Sequence, residues 1–184
     1  MTAVTEQSQQ LPTGTWKLDP VHSSASFAVK HMVVATFRGR FENFDATLDT
    51  NEDGTGKLVG TVDPSSIVVK DENLGAHLQS PDFFDTERYP ELRFESTSLR
   101  FEDGEAILEG DLTIKGNTHP VTARGGYVGP HEDIAGNTKL GLSLETEVDR
   151  TKFGLNWNAP LPKGGFALAN EVKLQINLEL GVQE

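Results

Sequence analysis

The chain has no cysteine among its 184 residues, which excludes disulfides, thiolate metal sites and cysteine nucleophiles and fits a reducing compartment. Basic residues are scarce: 16 Lys and Arg stand against 28 Asp and Glu, a formal net charge of -12. A surface of that average sign repels phosphate backbones and anionic headgroups, so no nucleic-acid partner and no electrostatic membrane docking are expected. No run of about 18 apolar residues occurs, so stable membrane insertion is not expected either. Residues 1–14 contain no Lys, no Arg and no apolar run, the opposite of a secretory signal. The expectation is a mobile polar tail over 1–14, then one domain over 15–184, in the cytoplasm. Gly-x-Ser-x-Gly, Gly-x-Gly-x-x-Gly and the P-loop are missing, and the five histidines show no ligand spacing of the His-Glu-x-x-His kind. No catalytic group, metal or cofactor is therefore expected.

What is present is alternation. Phe27 and Val29 oppose Ala28 and Lys30; Leu140, Leu142, Leu144, Thr146 and Val148 oppose Ser143, Glu145, Glu147 and Asp149; Val172, Leu174, Ile176, Leu178 and Leu180 oppose Lys173, Gln175, Asn177 and Glu179. A period of two with one wet face marks antiparallel strands, because parallel strands covered on both faces are apolar throughout. Asp103-Gly104 predicts a tight hairpin and Gly116-Asn117 a second. Inward parity is odd for Phe37, Gly39 and Phe41 but even for Phe44, Ala46 and Leu48, which predicts an extra residue near Glu42-Asn43. Met32-Val33-Val34-Ala35, apolar without a period, is expected as a half-buried turn. About eight such strands in succession predict an all-β fold, an eight-stranded antiparallel up-and-down barrel, with a two-sheet sandwich as competitor. Residues 137–149, fully extended, would span roughly 43 Å at ~3.3 Å each, long for a sandwich strand, which favours the barrel. Gly39, Gly60 and Gly110 at inward positions predict a hollow lumen.

Two segments break the pattern. Leu74, His77 and Leu78 fall at helical spacing, Asn73 can cap, and Pro81 ends the turn, so a short helix over 73–79 is expected. The turn after it carries Phe83 and Phe84 across one end of the barrel. Between Arg150 and Asn170 the residues Phe153, Leu155, Trp157, Leu161, Phe166 and Leu168 are too apolar for disorder, and a loop this long in a compact domain implies a lid or a dimer contact.

Several motifs resemble one family. Trp16-x-Leu-Asp-Pro-x-His-Ser23, Phe27-x-Val-Lys-His31, His77-Leu-Gln-Ser-Pro-Asp-Phe-Phe-Asp85, Gly110-x-Leu-Thr-Ile-Lys-Gly-x-Thr118 and Arg150-Thr-Lys-Phe-Gly-Leu155 are similar, in order, to those of the YceI-like family of polyisoprenoid-binding, lipocalin-like β-barrel proteins. The resemblance implies a lipocalin-like barrel holding a long isoprenoid, such as a polyprenyl quinone or polyprenyl phosphate, often in a homodimer. Members carry Arg-Asp just before the helical Ala-His-Leu. Here Leu74-Gly75 stand there, which removes a cation from the place where a phosphate head would meet one.

The resulting expectation is a noncatalytic carrier of a polyisoprenoid or similar long apolar molecule. Phe27, Val29, Phe37, Phe41, Leu112, Leu144, Leu174 and Ile176 are expected to line its lumen, with Phe83, Phe84, Phe153 and Trp157 near the mouth and His31 and His77 as polar groups. Two alternatives stay open: an enzyme acting on an apolar substrate through His31 or His77, and a filled barrel that serves as a dimeric interaction module.

Overall fold

Asp103 and Gly104 both take positive φ (51° and 77°), as a two-residue hairpin turn requires, and the chain on either side pairs from Glu102↔Glu105 outward. The second tight turn falls one residue earlier than the spacing indicates. Lys115 and Gly116 (φ 51° and 75°) form it, and Asn117 already pairs with Ile114. The computed structural model describes residues 11–184, so the tail expected over residues 1–14 falls mostly outside the described residues. Leu11 nevertheless packs into the core, and the Pro12 carbonyl accepts a hydrogen bond from Thr50 Oγ1 (2.6 Å), so the packed domain starts before Thr15.

The elements are β1 (Gly14–Leu18), β2 (Ser24–His31), β3 (Ala35–Phe41), β4 (Phe44–Thr50), β5 (Gly56–Val62), β6 (Ile67–Val68), α1 (Glu72–Gln79), β7 (Leu92–Glu102), β8 (Glu105–Ile114), β9 (Asn117–Glu132), β10 (Thr138–Asp149) and β11 (Leu168–Val182). Single 3-10 turns follow β5 (Pro64–Ser66) and β10 (Arg150–Phe153). All pairings are antiparallel. The segments join into eight staves because three pairs of strands are continuous runs with a break. β1 and β2 lie end to end along β11, β3 and β4 lie end to end opposite them, and β6 continues the line of β5 beside β3. Contact of β1 with both β4 and β11 closes the barrel.

The break between β3 and β4 sits at Glu42-Asn43, where the parity of inward residues switches. There the amides of Glu42 and Asn43 bond to Ser66 instead of a neighbouring strand (3.2 and 2.9 Å). A second slip lies between Ser96 and Ser98 in β7 and returns Leu99 and Phe101 to the inner side. Helix α1 starts one residue before the expected range. Its cap is Asp71, whose carboxylate accepts from the Leu74 amide (2.9 Å), rather than Asn73, which lies inside the first turn.

The interior divides into two halves. At the end holding the chain termini and the turns after β4, β7 and β9, Trp16, Leu48, Leu108, Leu140, Leu142 and Leu180 are almost wholly buried and fill the space. Trp16 Nε1 donates to Thr50 Oγ1 there (3.2 Å). At the other end a looser group, Phe27, Phe41, Leu78, Phe83, Phe84, Phe153 and Leu155, lies beneath α1 and the connection between β10 and β11. Two inward glycines do not mark empty space, as the pattern led one to expect. A Cβ at Gly39 would lie 2.5 Å from the Phe27 ring, and one at Gly110 2.5 Å from the Phe94 ring, so each glycine seats an aromatic from the adjacent stave. Gly60 alone of the three meets nothing closer than the Asp45 carbonyl at 3.8 Å. The β2–β3 turn, expected half-buried, is exposed at Met32, Val33 and Val34, because it projects past the rim of the barrel.

Candidate functional site

The loosely packed half encloses a cavity of about 600 Å³. Every site residue expected from the sequence lines it: Phe27, Val29 and His31 from β2, Phe37 and Phe41 from β3, His77 from α1, Phe83 and Phe84 from the turn that follows, Leu112 from β8, Leu144 from β10, Phe153 and Trp157 from the β10–β11 connection, and Leu174 and Ile176 from β11. The strand residues arrive there through alternation. Phe27 and Val29 share the inward face with Leu174 and Val172, their cross-strand partners on β11. Phe41 packs edge-on against Phe84 (5.8 Å, 77°) and joins the rim of the barrel to the segment that closes it.

Phe83 and Phe84 are both buried, because the chain between Ser80 and Asp85 folds back on itself. The amides of Phe83 and Asp85 bond to the Ser80 carbonyl (2.9 and 3.0 Å), and that of Phe84 to the Leu78 carbonyl (3.0 Å). His77 stands between aromatic neighbours, with its ring edge-on to Phe83 and to Trp157 at 5.0 Å each. Its Nε2 lies 2.9 Å from Asp82 Oδ2, which fixes the ring. His31, at the rim, is exposed. Solvent-exposed lining residues occur at His31, Ala35 and Thr36 beside the β2–β3 turn, and at Asp45, Arg93 and Glu145 on the wall.

The connection from β10 to β11 is held from within by Arg150. Its Nη1 donates to the carbonyls of Leu155 (2.6 Å) and Trp157 (2.9 Å), and its Nε to that of Ala169 (2.8 Å), tying both arms of the loop to one planar group. The side chain is 5% exposed, and burial pushes the guanidinium below its usual range while neighbouring Asp149 opposes the shift. Asn117 and His119 at the start of β9 bind the same loop through the Phe153 and Lys152 carbonyls (both 2.9 Å). Sequence reasoning missed Arg150 because one arginine at a strand end carries no signal of what it will bind. It also left out Leu92, Phe94, Val121, Val172 and Leu178, which line the cavity on the same parity as residues it chose and were within its reach.

Unlike His31 and His77, His22 does not line the cavity. It lies on the outer side of the β1–β2 connection, with Nδ1 3.0 Å from Asp19 and 3.2 Å from Glu179. That trio is the single cluster of metal-ligating side chains among the described residues. The hydrogen bond from His22 holds the Asp19 carboxyl down at about 2, and Asp19, with Glu179 beyond it, raises His22 above its ordinary value. Among the described residues, neither His31 nor His77 is hydrogen-bonded to a hydroxyl that could serve as a nucleophile, and no helix is long and apolar enough to cross a membrane.

Known proteins show the same architecture. A UPF0312 protein of Staphylococcus aureus (strain USA300) is 34% identical over 169 residues, covering 90% of this chain and 96% of its own. The crystal structure of Burkholderia cenocepacia BcnA superposes with a TM-score of 0.74 at 22% identity, covering 88% of this chain and 98% of that one. A polyisoprenoid-binding domain from Saccharophagus degradans, implicated in plant cell wall breakdown, has a TM-score of 0.61 at 11% identity, covering 91% and 98%. At those identities the solved structures establish shared fold. The model of the YceI-like domain matches residues 16–180, nearly the whole barrel, and the chain belongs to the YceI-like family.

Proposed function

We propose that this protein is a noncatalytic carrier of a long apolar small molecule of the polyisoprenoid class, held in the hollow half of the barrel. The observation that carries the proposal is a cavity of about 600 Å³ walled by aromatic and aliphatic side chains in a barrel whose other half is solid. An isoprene unit of about 90 Å³ van der Waals volume, at a packing density of ~0.75, occupies roughly 120 Å³, so the cavity has room for about five. Burying its five carbons at ~0.8 kcal/mol each yields about 4 kcal/mol gross per unit. One to four units therefore offset the ~4–15 kcal/mol cost of association, and tail burial suffices for affinity without any headgroup contact.

The polar groups then decide preference. His77, with Nε2 committed to Asp82 and its ring clamped by Phe83 and Trp157, brings a polar group to the cavity, whereas the segment before it, Leu74-Gly75, offers no cation to a phosphate. The polyisoprenoid-binding domain of Saccharophagus degradans, alike in fold, supports the ligand class. An interior that is half hollow disfavours the filled interaction module.

The test is extraction of the purified protein with organic solvent and mass spectrometry of the extract, joined to titration with prenyl quinones read by fluorescence. Trp157 lines the cavity and Trp16 lies in the solid half, so quenching should be lost in Trp157→Phe and retained in Trp16→Phe. A clean extract together with no quenching by any prenyl quinone refutes the carrier.

A further inference from the structure

Four of the seven large apolar side chains exposed among the described residues lie where the cavity lining meets solvent, while Val21, Val128 and Ile134 are scattered elsewhere. In the β2–β3 turn Met32, Val33 and Val34 are 40%, 67% and 86% exposed, and Phe166 of the β10–β11 connection is 59% exposed. The two loops touch. The Met32 amide donates to the Ala167 carbonyl (2.7 Å), and Gly165 lies against the Val33 side chain. His31, Ala35 and Thr36, which flank the turn, line the cavity.

The turn is built against its own backbone preference. Met32 and Val33 both take left-handed φ (51° and 67°), a conformation that glycine or asparagine adopts readily and a β-branched residue resists. A sequence shaped only by hairpin stability would not place Met-Val-Val there. Strain of this kind persists where a segment serves some purpose besides folding.

Charge points to the occupant. Although the whole chain is acidic, residues 24–41 hold Lys30, Arg38 and Arg40 without a single Asp or Glu, and residues 150–170 hold Arg150, Lys152 and Lys163, again with none. Lys30, Arg38 and Lys163 are exposed on these two loops and their flanking strands. The exposed acids of this end are Asp71, Glu72, Asp82 and Glu87 of the α1 segment, with Glu171 where β11 begins and Glu42, which pairs with Arg40, so Lys30, Arg38 and Lys163 are the cations the two loops present.

We propose that the β2–β3 turn and the 160–166 loop form a docking surface for an anionic lipid bilayer: Val33, Val34 and Phe166 enter the interface while Lys30, Arg38 and Lys163 face the headgroups. The average charge of the chain hides this edge. Docking presents the cavity to the phase in which long isoprenoids dissolve, so its use in loading rests on the carrier reading, whereas the surface itself does not.

The test is co-sedimentation of the full chain with vesicles of equal parts phosphatidylcholine and phosphatidylglycerol, and with pure phosphatidylcholine. Binding is expected to the anionic vesicles, weaker to the neutral ones, and to fall as salt shortens the screening length from about 10 Å at 0.1 M to about 3 Å at 1 M. Val34→Asp should weaken it about tenfold or more, the loss of one buried valine. Val33→Gly should weaken it while melting no lower than wild type, because it relieves the backbone as it removes the apolar group. Absence of binding to anionic vesicles, unchanged binding of Val34→Asp, or loss in that variant of a concentration-dependent dimer with vesicles ignored overturns the proposal. Prenyl quinone delivered from vesicles and from ethanol separates the two readings. Uptake from ethanol without sedimentation on anionic vesicles overturns the docking surface and leaves the carrier, whereas vesicle binding without uptake by either route does the reverse.

Discussion

Gly60 offers a substitution whose effects on stability and on binding should have opposite signs. It lies on the inward face of β5 between Ala46 and Phe94, lines the cavity, and a Cβ built on it meets only the Asp45 carbonyl at 3.8 Å. Its φ is ordinary for a strand, so a side chain is tolerated and projects into empty space. In Gly60→Leu the added isobutyl group fills roughly 95 Å³ at interior packing density, close to one isoprene unit and about a sixth of the cavity. Apolar burial should stabilise the unliganded protein by about 1.5 kcal/mol, raising Tm by roughly 3–6 °C for a domain of this size. The longest tail that fits the wild type loses up to about 4 kcal/mol of burial. Partial contact of the displaced end elsewhere leaves a loss of about 2 kcal/mol, or roughly thirtyfold in Kd, while short tails are little affected. Calorimetric melting and Trp157 quenching by a series of prenyl quinones of increasing length measure both quantities. Gly110→Ala is the contrast: its Cβ would fall 2.5 Å from both the Phe94 ring and the Glu95 carbonyl, and overpacking should destabilise by about 1–3 kcal/mol. If Gly60→Leu melts lower than wild type and binds long tails as well as before, the hollow half is not the binding site.

Arg150→Met should leave the carbonyls of Leu155, Trp157 and Ala169 without their donor and destabilise by about 3 kcal/mol or more, with hydrogen exchange accelerating over residues 154–169 first. Arg150→Lys should recover little of this, since an ammonium cannot span both arms of the loop as a planar fork does, and unchanged exchange in Arg150→Met would disprove the tie. Tyr127 has a buried hydroxyl with no partner among the described residues, packed beside Phe101, and burial raises its pKa. Tyr127→Phe should therefore be neutral or stabilising by about 1 kcal/mol in denaturant titration, and a clear loss would reveal a bond to that hydroxyl. The His22 pair should make stability depend on pH. His22 is raised above its ordinary 6.5, so its contribution is fully present below that value and fades as pH rises through the raised one. Asp19 is lowered from 3.8 to about 2, so its contribution is present above 3.8 and fades as pH falls toward 2. The Tm difference between wild type and His22→Gln should thus be largest between these limits, and one that grows above pH 6.5 would contradict the ion pair.

The strands, their inward faces, the parity switch between Phe41 and Phe44 and the turn at Asp103-Gly104 were legible in the sequence, because each depends on residues a few positions apart. The position of the cap at Asp71 was within range of the same rules, and Asn73 merely competed for it. The lining of the cavity was legible to the extent that inward parity selects it, which is why the residues chosen on β2, β3, β8, β10 and β11 border it. Parity alone could not separate Gly60, open to the cavity, from Gly39 and Gly110, which seat the rings of Phe27 and Phe94. Nor could it tell that Leu142 and Leu180 fill one half while Leu112 and Leu174 border empty space, since all four are inward leucines on alternating strands. The carbonyls that Arg150 would gather, and the contact of the Phe166 loop with the β2–β3 turn, were equally invisible. By itself the sequence determined the staves, which side of each faces inward and where the barrel turns, because alternation and turn conformation are local. Only the tertiary structure decided which half is solid and which hollow, because that depends on how far side chains from opposite staves reach across the barrel.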